Sequence, residues 1–217
     1  MIGFHCDDKF SKESWDDPVR KTDIAMFPAP YRCCIIGSPG VGKSAISKNL
    51  VVHNNFKSVY IFHENELTKE YDDLEPTAIL DELPPLSFWR DMDPKDKKLL
   101  IIDDVEWTSS NKEKLKNLAL LFRYISSHCN LSIIFCHQSY FDIPPLVKKM
   151  ANVIILYKIR SKIELGMIEN RSGLEPGLLS YLFETVAKKY HDSICLDFTV
   201  DTPYPIRLNL WQPLVIE

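Results

Sequence analysis

Short apolar runs alternate with longer amphipathic segments along most of the chain. Five runs of six or seven residues are rich in Ile, Leu, Val, Cys and aromatic side chains, and each is followed by glycine or polar residues. Apolar runs of this length are typical of strands that are buried on both faces of a sheet. The sequence therefore predicts buried strands at residues 32–37, 57–63, 98–103, 131–136 and 152–158.

The segments between these runs carry apolar side chains at helical spacing, as in the series Leu115, Leu118, Phe122 and Ile125. Strands that alternate with helices indicate a mostly parallel sheet covered on both faces. We expect helices at 43–53, 111–128, 146–150 and 174–190, one or two short helices within 64–96, and an extended tail at 194–200 and 205–210.

A polar segment with three prolines, residues 1–30, precedes the first apolar run. We expect it to be an irregular lead-in to one α/β domain that spans residues 31–217, because a chain of this length can bury one large core. The segment is acidic and lacks the apolar stretch of a signal peptide, and no run approaches the length that crosses a bilayer. We therefore expect an intracellular protein without a membrane anchor.

The first predicted strand runs into Gly-Ser-Pro-Gly-Val-Gly-Lys-Ser at residues 37–44, which satisfies G-x-x-x-x-G-K-[ST] at every fixed position. Glycines let consecutive backbone N–H groups approach phosphate oxygens, and the following helix points its positive end at the same anion. Lys43 can reach the β and γ phosphates of ATP, and Ser44 can ligate Mg²⁺. The predicted nucleotide-binding residues are Gly37, Ser38, Pro39, Gly40, Val41, Gly42, Lys43, Ser44 and Ala45.

The predicted strand 98–103 ends in carboxylates, at Asp103 and Asp104. The carboxyl ends of parallel strands meet at the sheet edge where α/β proteins bind ligands. We assign Asp103 to the magnesium ion and Asp104 to the attacking water, which a carboxylate can orient and deprotonate. Many ATPases with this layout carry Glu at the second position, so Glu106 stays an alternative to Asp104.

Two further side chains complete the predicted catalytic set. Gln138 follows the strand 131–136, and its amide can donate to a phosphate and accept from water at once. Positive charge at the transition state often comes from an arginine of a neighbouring subunit. Arg123 is our first candidate for this arginine, and Arg160 and Arg171 are alternatives.

Composition adds little that is specific. The net charge of −4 argues against a protein that simply coats nucleic acid. Residues 64–96 alone carry a net charge of −8, however, which leaves a net charge of +4 for the rest of the 217-residue chain. The six cysteines lack metal-type spacing, and most lie in apolar runs. We expect them to be reduced core residues.

Several of these stretches together resemble the poxvirus-type genome-packaging ATPases of the HerA/FtsK superfamily, which occur in large DNA viruses, virophages and Polinton-like elements. The stretches are GSPGVGKS, LLIIDDV and LFRYISSHCNLSIIFCHQSYFDIP, and the likeness runs from about residue 32 to 160. The segment 131–144 discriminates best, since many families share the phosphate loop. Residues 1–30 and 170–217 match nothing in that family.

The resemblance implies a P-loop NTPase fold, a three-layer α/β sandwich of the additional-strand, RecA-like type. It also implies a homo-oligomeric ring that hydrolyses ATP with Mg²⁺ to move double-stranded DNA into a capsid, together with a capsid or portal-like component. The expected location is the host cell, at the virus assembly site or in the virion. Gln138 matches the sensor glutamine of the family, whereas FRYISSHCN around Arg123 departs from its usual basic-glycine pattern.

A locally basic stretch is the candidate DNA contact, since ring motors bind mainly the phosphates of the duplex. It comprises Lys148, Lys149, Lys158, Arg160 and Lys162. Two other functions use the same phosphate loop: a nucleotide or small-molecule kinase, and an ATP-dependent assembly switch that moves nothing. A kinase usually needs several arginines in a lid, and residues 139–172 contain only Arg160 and Arg171.

Overall fold

The computed structural model describes residues 4–6, 27–64, 69–107, 111–200 and 202–216, with the side chains of 4–6, 215 and 216 excepted. Within these ranges a 10-stranded sheet runs through the molecule in the order β1-β10-β9-β8-β7-β2-β6-β5-β3-β4. The strands from β7 to β4 are parallel to one another, and those from β8 to β1 continue the sheet in antiparallel fashion. The mostly parallel sheet expected from the sequence is thus extended by an antiparallel flank.

The strands have the following bounds: β1 Phe4–Cys6, β2 Arg32–Ile36, β3 Ser58–His63, β4 Ala78–Leu80, β5 Lys98–Asp103, β6 Leu131–His137, β7 Val153–Tyr157, β8 Ser193–Asp197, β9 Ile206–Leu208 and β10 Gln212–Ile216. β6 lies between β2, which leads into the phosphate loop, and β5, which carries the carboxylates. One extra strand between these two is the arrangement that the additional-strand type predicts. The predicted fold class is therefore confirmed.

The helices are α1 Lys43–His53, α2 Leu86–Arg90, α3 Lys112–Leu120, α4 Ser126–His128, α5 Pro145–Met150, α6 Lys162–Ser172 and α7 Leu178–Thr185. A π-helical turn, Leu121–Ile125, joins α3 to α4, so that residues 112–128 form one continuous helix, as expected. A 3-10 turn covers Asp72–Leu74 in the acidic segment.

Both faces of the sheet are buried, and alternate residues of one strand belong to different cores. On β5, Leu100 and Ile102 pack into the core beneath the continuous helix, α6 and α7, whereas Leu99 and Ile101 pack into the core beneath α1. This is why β5 reads as an uninterrupted apolar run rather than an alternating one. The three layers of the predicted sandwich follow directly.

The carboxyl-terminal third differs most from the expectation. The helix predicted at 174–190 is limited to α7, and α6 precedes it unpredicted. Gly173 (φ 66°) ends α6 in the left-handed region, and Gly177 (φ 87°) precedes α7. The start of α6 had a signal in the sequence: Ser161 accepts a hydrogen bond from the backbone N–H of Glu164, and Ser-x-x-Glu is a capping-box pattern.

Three short strands were also unpredicted, namely β1, β4 and β10. β1 lies in the segment expected to be irregular and pairs with β10 at the edge of the sheet. The remaining lead-in up to residue 26 lies outside the described residues, so the prediction for it is untested. β1 and β4 have three residues each, too few side chains for an alternation to stand out, and neighbouring strands decide whether they pair.

The cysteines agree with the expectation as far as the structure describes them. Five are free and buried: Cys33, Cys34, Cys129, Cys136 and Cys195. Burial raises the pKa of the Cys34 and Cys195 thiols to about 12, which keeps them protonated and unreactive. Among the described residues, no helix is both long and apolar enough to cross a bilayer.

Candidate functional site

The phosphate loop leaves β2 at Gly37 and enters α1 at Lys43, the geometry that its motif requires. Gly37 packs against β7, where an added Cβ would lie 2.7 Å from the Cβ of Tyr157, so that any side chain would collide. Gly42 has a φ of 112°, a conformation that L-residues with side chains rarely adopt. These two glycines are therefore structural requirements of the loop.

Lys43 is buried at the base of the loop, with 7% of its surface exposed. Its ammonium Nζ donates to the carbonyl oxygen of Gly37 at 3.0 Å and to that of Ser38 at 3.4 Å. Both partners belong to the loop, so the positive charge stays where the motif places a triphosphate. This is the position from which a lysine can reach the outer phosphates.

Asp103, the last residue of β5, is almost completely buried. Its Oδ2 accepts a hydrogen bond from the Tyr71 hydroxyl at 2.6 Å, and its Oδ1 has no hydrogen-bond partner within the described ranges. Burial raises the pKa of this carboxyl, and the neighbouring carboxylates Asp104 and Glu70 add to the effect. A buried carboxylate oxygen without a partner is costly, and a cation would satisfy it.

Glu70 and His63 complete a cluster around Asp103 that sequence reasoning missed. One ligand atom each of His63, Glu70 and Asp103 lies within 4.8 Å of the others, and Ser44 donates its hydroxyl hydrogen to Glu70 Oε1. Mg²⁺ prefers oxygen ligands. The oxygens of Ser44, Glu70 and Asp103, including the unpartnered Oδ1 of Asp103, fit such an ion.

The signals for these two residues differ. His63 ends β3, the strand beside β5, so its place at the carboxyl edge was readable once the strand order was known. Glu70 follows β3 in an acidic segment where nothing distinguishes it from its neighbours. Only the fold brings Glu70 to the serine of the phosphate loop.

Asp104 and Gln138 face each other across neighbouring strands. Gln138 Nε2 donates to Asp104 Oδ2 at 3.4 Å, and Asp104 is exposed with a φ of 47°. A positive φ is uncommon for an aspartate and turns its side chain away from the buried path of β5. Glu106 lies two residues further on, where its backbone N–H donates to Glu64 Oε1 at 2.9 Å.

The phosphate loop, Glu70, Asp103 and Asp104 border one cavity of about 510 Å³ at the carboxyl edge of the parallel strands, whereas Gln138 is connected to it only through its hydrogen bond to Asp104. Of the predicted nucleotide-binding residues, Gly37, Ser38 and Val41 do not border this cavity: Gly37 and Val41 are buried, and Ser38 is exposed. Glu106 and the three candidate arginines do not border the cavity. The lining residues are Pro39, Gly40, Gly42, Lys43, Ser44, Ala45, Lys48, Glu70, Asp103 and Asp104.

The candidate arginines lie at three different places. Arg123 is exposed in the π-helical turn, and Arg160 is exposed just beyond the carboxyl end of β7. Arg171 ends α6 near the amino end of β7, where it borders a cavity together with Lys149 and Asn152. Of the three, Arg160 is therefore on the same edge of the sheet as the phosphate loop.

The basic stretch proposed as a DNA contact is not continuous in space. Lys148 is buried: its ammonium donates to the Phe141 carbonyl at 3.2 Å and lies 4.6 Å from the centroid of the Tyr140 ring. Burial also lowers the pKa of Lys148. Lys148 is thus a wrong choice for a DNA contact. Lys158, Arg160 and Lys162 are exposed beyond the carboxyl end of β7, and exposed Lys149 precedes its amino end.

Comparison with known proteins rests on structure. No protein-family model and no curated protein matches the sequence. The fold is similar to that of the genome packaging NTPase B204 from Sulfolobus turreted icosahedral virus 2 in complex with sulfate, at a TM-score of 0.57 and 19% identity, over 86% of this chain and 98% of that one. The same protein in complex with ATP-gammaS gives a TM-score of 0.56 at 17% identity, over 87% and 100%.

Secretion ATPases share the fold as well. EssC (ATPases 2 and 3) from Geobacillus thermodenitrificans aligns at a TM-score of 0.55 and 13% identity, over 85% of this chain and 40% of that one. The cytoplasmic domain of the type VII secretion ATPase EccC from Thermomonospora curvata aligns at 0.55 and 12%, over 86% and 25%. This chain therefore has the P-loop fold of packaging and secretion ATPases.

Proposed function

We propose that this protein hydrolyses ATP to drive double-stranded DNA into a viral capsid. One observation carries the proposal: the phosphate loop, Asp103 and the Asp104–Gln138 pair border or adjoin a single cavity. Each group has a separate part in phosphoryl transfer to water, and their meeting at one sheet edge is what hydrolysis requires.

The residues divide the work by their chemistry. Lys43 and the backbone N–H groups of the loop hold the phosphates, and Lys43 offsets charge that develops on the outer phosphate. Asp104, exposed to solvent, accepts the proton of the attacking water. Gln138 already donates to Asp104 and can orient that water, because an amide donates and accepts at the same time.

Ser44, Asp103 and Glu70 are the residues that would hold Mg²⁺, which supplies charge neutralisation on the phosphate oxygens. Ser44 donates its hydroxyl hydrogen to Glu70, which leaves the lone pairs of its Oγ available to a cation. Asp103 is likewise placed for a cation, since the Tyr71 hydroxyl donates to one oxygen of its carboxylate and leaves the other without a partner in the described ranges.

The choice of a DNA motor rests on two supports. The segment 131–144 resembles packaging ATPases, and the fold is shared with a protein named as a viral genome packaging NTPase. The proposal includes a homo-oligomeric ring, a capsid or portal-like component, and a location in the host cell or virion. The arginine at the transition state comes from a neighbouring subunit; Arg123 is the candidate from sequence, and Arg160 lies closer to the phosphate edge.

The decisive experiment measures ATP hydrolysis with and without duplex DNA, alongside the mass of the protein by light scattering. We expect DNA to stimulate ATP turnover. We also expect ATP and DNA together to favour assembly of the homo-oligomeric ring. Phosphoryl transfer to a small acceptor would establish a kinase instead. If DNA does not change the turnover and the protein stays monomeric, the ATP-dependent assembly switch is the remaining alternative.

Charge reversal then locates the DNA contact. We expect replacing Lys158 and Lys162 with Glu to remove the stimulation by DNA and to retain DNA-independent turnover, because phosphate contacts supply most non-specific DNA affinity. Lys149→Glu at the opposite edge of the sheet is the matched control. Loss of stimulation in the control alone would move the contact to that edge.

A further inference from the structure

A second cavity of about 390 Å³ adjoins the phosphate cavity on the side of β7. Gly42 and Ala45 border both cavities, so the two are separated only by the start of α1. The rest of the wall comes from Val41, Tyr157 and the turn 189–192. Because Tyr157 ends β7 and pairs with the first residue of β8, this turn lies at the same edge of the sheet as the phosphate loop.

The atoms that line this second cavity are almost all apolar. At its rim Tyr190 is 66% exposed, although large aromatic side chains are mostly buried in folded proteins. Its one described ring contact is edge-to-face with His191, at 4.9 Å between centroids. An exposed ring beside an apolar cavity is a surface on which a flat aromatic ligand can stack.

The wall is tied directly to the phosphate loop. His191 Nδ1 forms a hydrogen bond with the Val41 carbonyl at 2.8 Å, and the Tyr157 hydroxyl donates to the Gly42 carbonyl at 2.7 Å. Asp192 accepts from the backbone N–H of Lys189 at 2.8 Å and so closes the turn. The cavity is therefore held in place relative to the site where the phosphates bind.

We propose that this cavity holds the base and ribose of the bound nucleotide, with the base stacked on Tyr190. The inference rests on the proposed function, since the phosphate loop must first hold the triphosphate. Its occupant follows from continuity: Gly42 and Ala45 border both cavities, so a nucleotide held by its phosphates in the first cavity can extend past the start of α1 into the second.

The apolar lining of this cavity also predicts how well the site distinguishes one base from another. Proteins distinguish bases by hydrogen bonds to the base edges, and a site without such partners discriminates weakly. The wall is apolar, and the carboxylate of Asp192 is buried and already accepts from Lys189. The cavity therefore holds the base by packing and stacking, with little preference between adenine and guanine.

Calorimetric titration of the full chain with ATP, GTP and inorganic tripolyphosphate tests both statements, with Mg²⁺ present. We expect Tyr190→Ala to weaken ATP binding about tenfold, the order of one base–aromatic stack, and to leave tripolyphosphate binding unchanged. Tyr190→Phe keeps the ring and should bind ATP as the original protein does. Phe198→Ala, at an exposed aromatic residue beyond the other end of β8, is the matched control and should change neither affinity.

Other results of these titrations would contradict the base site, the weak base preference or the proposed function. Unchanged ATP affinity in Tyr190→Ala removes the base site, and an equal loss for tripolyphosphate shows that Tyr190 acts on the phosphate loop rather than on the base. A preference above tenfold for ATP over GTP removes the weak discrimination. If the original protein binds neither ATP nor tripolyphosphate, the proposed function fails together with this inference, whereas intact tripolyphosphate binding confines the failure to the nucleoside.

Discussion

The parallel and antiparallel parts of the sheet are built for different tasks. The parallel part, from β7 to β4, brings Lys43, Asp103, Asp104 and Gln138 to one edge, because all its strands end there. The antiparallel part, from β8 to β1, sends successive strand ends to opposite edges. Among the described residues, what borders the two cavities from this part of the chain is the turn 189–192, which precedes β8.

Buried charge shows the same division. In the parallel part, Asp103 is buried with one oxygen unpartnered within the described ranges, and the Lys43 ammonium donates to two carbonyls of the phosphate loop. In the antiparallel part, buried Asp197 forms a salt bridge with buried Arg207. Asp197 also accepts from the Thr199 hydroxyl at 2.6 Å. The buried charges at the phosphate loop are thus available to a ligand, whereas Asp197 and Arg207 satisfy each other.

The sharpest test of this contrast is Lys43→Ala. Its loss removes the charge that faces the phosphates, and we expect turnover to fall about a thousandfold or more with little change in stability. A steady-state assay of phosphate release measures it. Lys57→Ala, which removes an exposed lysine paired with Asp96, is the control and should keep full activity. Normal turnover in Lys43→Ala would remove the site assignment.

Arg207→Leu should have the opposite profile. Removing one partner of a buried ion pair leaves the other charge uncompensated, and we expect a loss of about 3–5 kcal/mol in the free energy of unfolding. Urea denaturation measures this loss, and nucleotide affinity of the folded fraction should stay the same. The double variant with Asp197→Leu should recover part of the stability, since it buries no lone charge. An equally unstable double variant would contradict that explanation.

Gln138→Ala should affect the rate but not binding. The amide orients the water and contacts Asp104, so we expect turnover to drop about a hundredfold while ATP affinity is retained. Single-turnover kinetics beside a binding titration separate the two effects. Glu106→Ala is the control, and it should be nearly silent if Asp104 activates the water. Unchanged turnover in Gln138→Ala would refute the sensor role.

The smallest effect concerns stability. Burial raises the pKa of Asp103, so the folded protein binds this proton more tightly than the unfolded chain and loses stability as the pH rises through the folded-state pKa. Asp103→Asn removes the buried charge and should raise the metal-free Tm at pH 7 by about 2–4 °C. The gain should vanish below pH ~4, where the unfolded carboxyl is also protonated. Hydrolysis should be lost at every pH, and a lower Tm at pH 7 would contradict the argument.

Local patterns in the sequence determined a large part of this protein. The apolar runs predicted β2, β3, β5, β6 and β7 to within a residue or so at each end, because strands buried on both faces need continuous apolar side chains. The phosphate-loop motif and the carboxylates after β5 were readable for a similar reason. The residues of the phosphate loop are adjacent in the chain, and the position of the carboxylates follows from the end of a strand that the sequence already predicts.

Contacts between distant segments were decided only by the tertiary structure. Glu70 reaches Ser44 across 26 positions, Tyr71 reaches Asp103 across 32, and His191 reaches Val41 across 150. Lys148, exposed by every local criterion, is buried because the Phe141 carbonyl and the Tyr140 ring lie over it. Strand order and helix placement set these pairings. The local sequence around each residue gives no indication of its partner, because the partner lies in a distant segment of the chain.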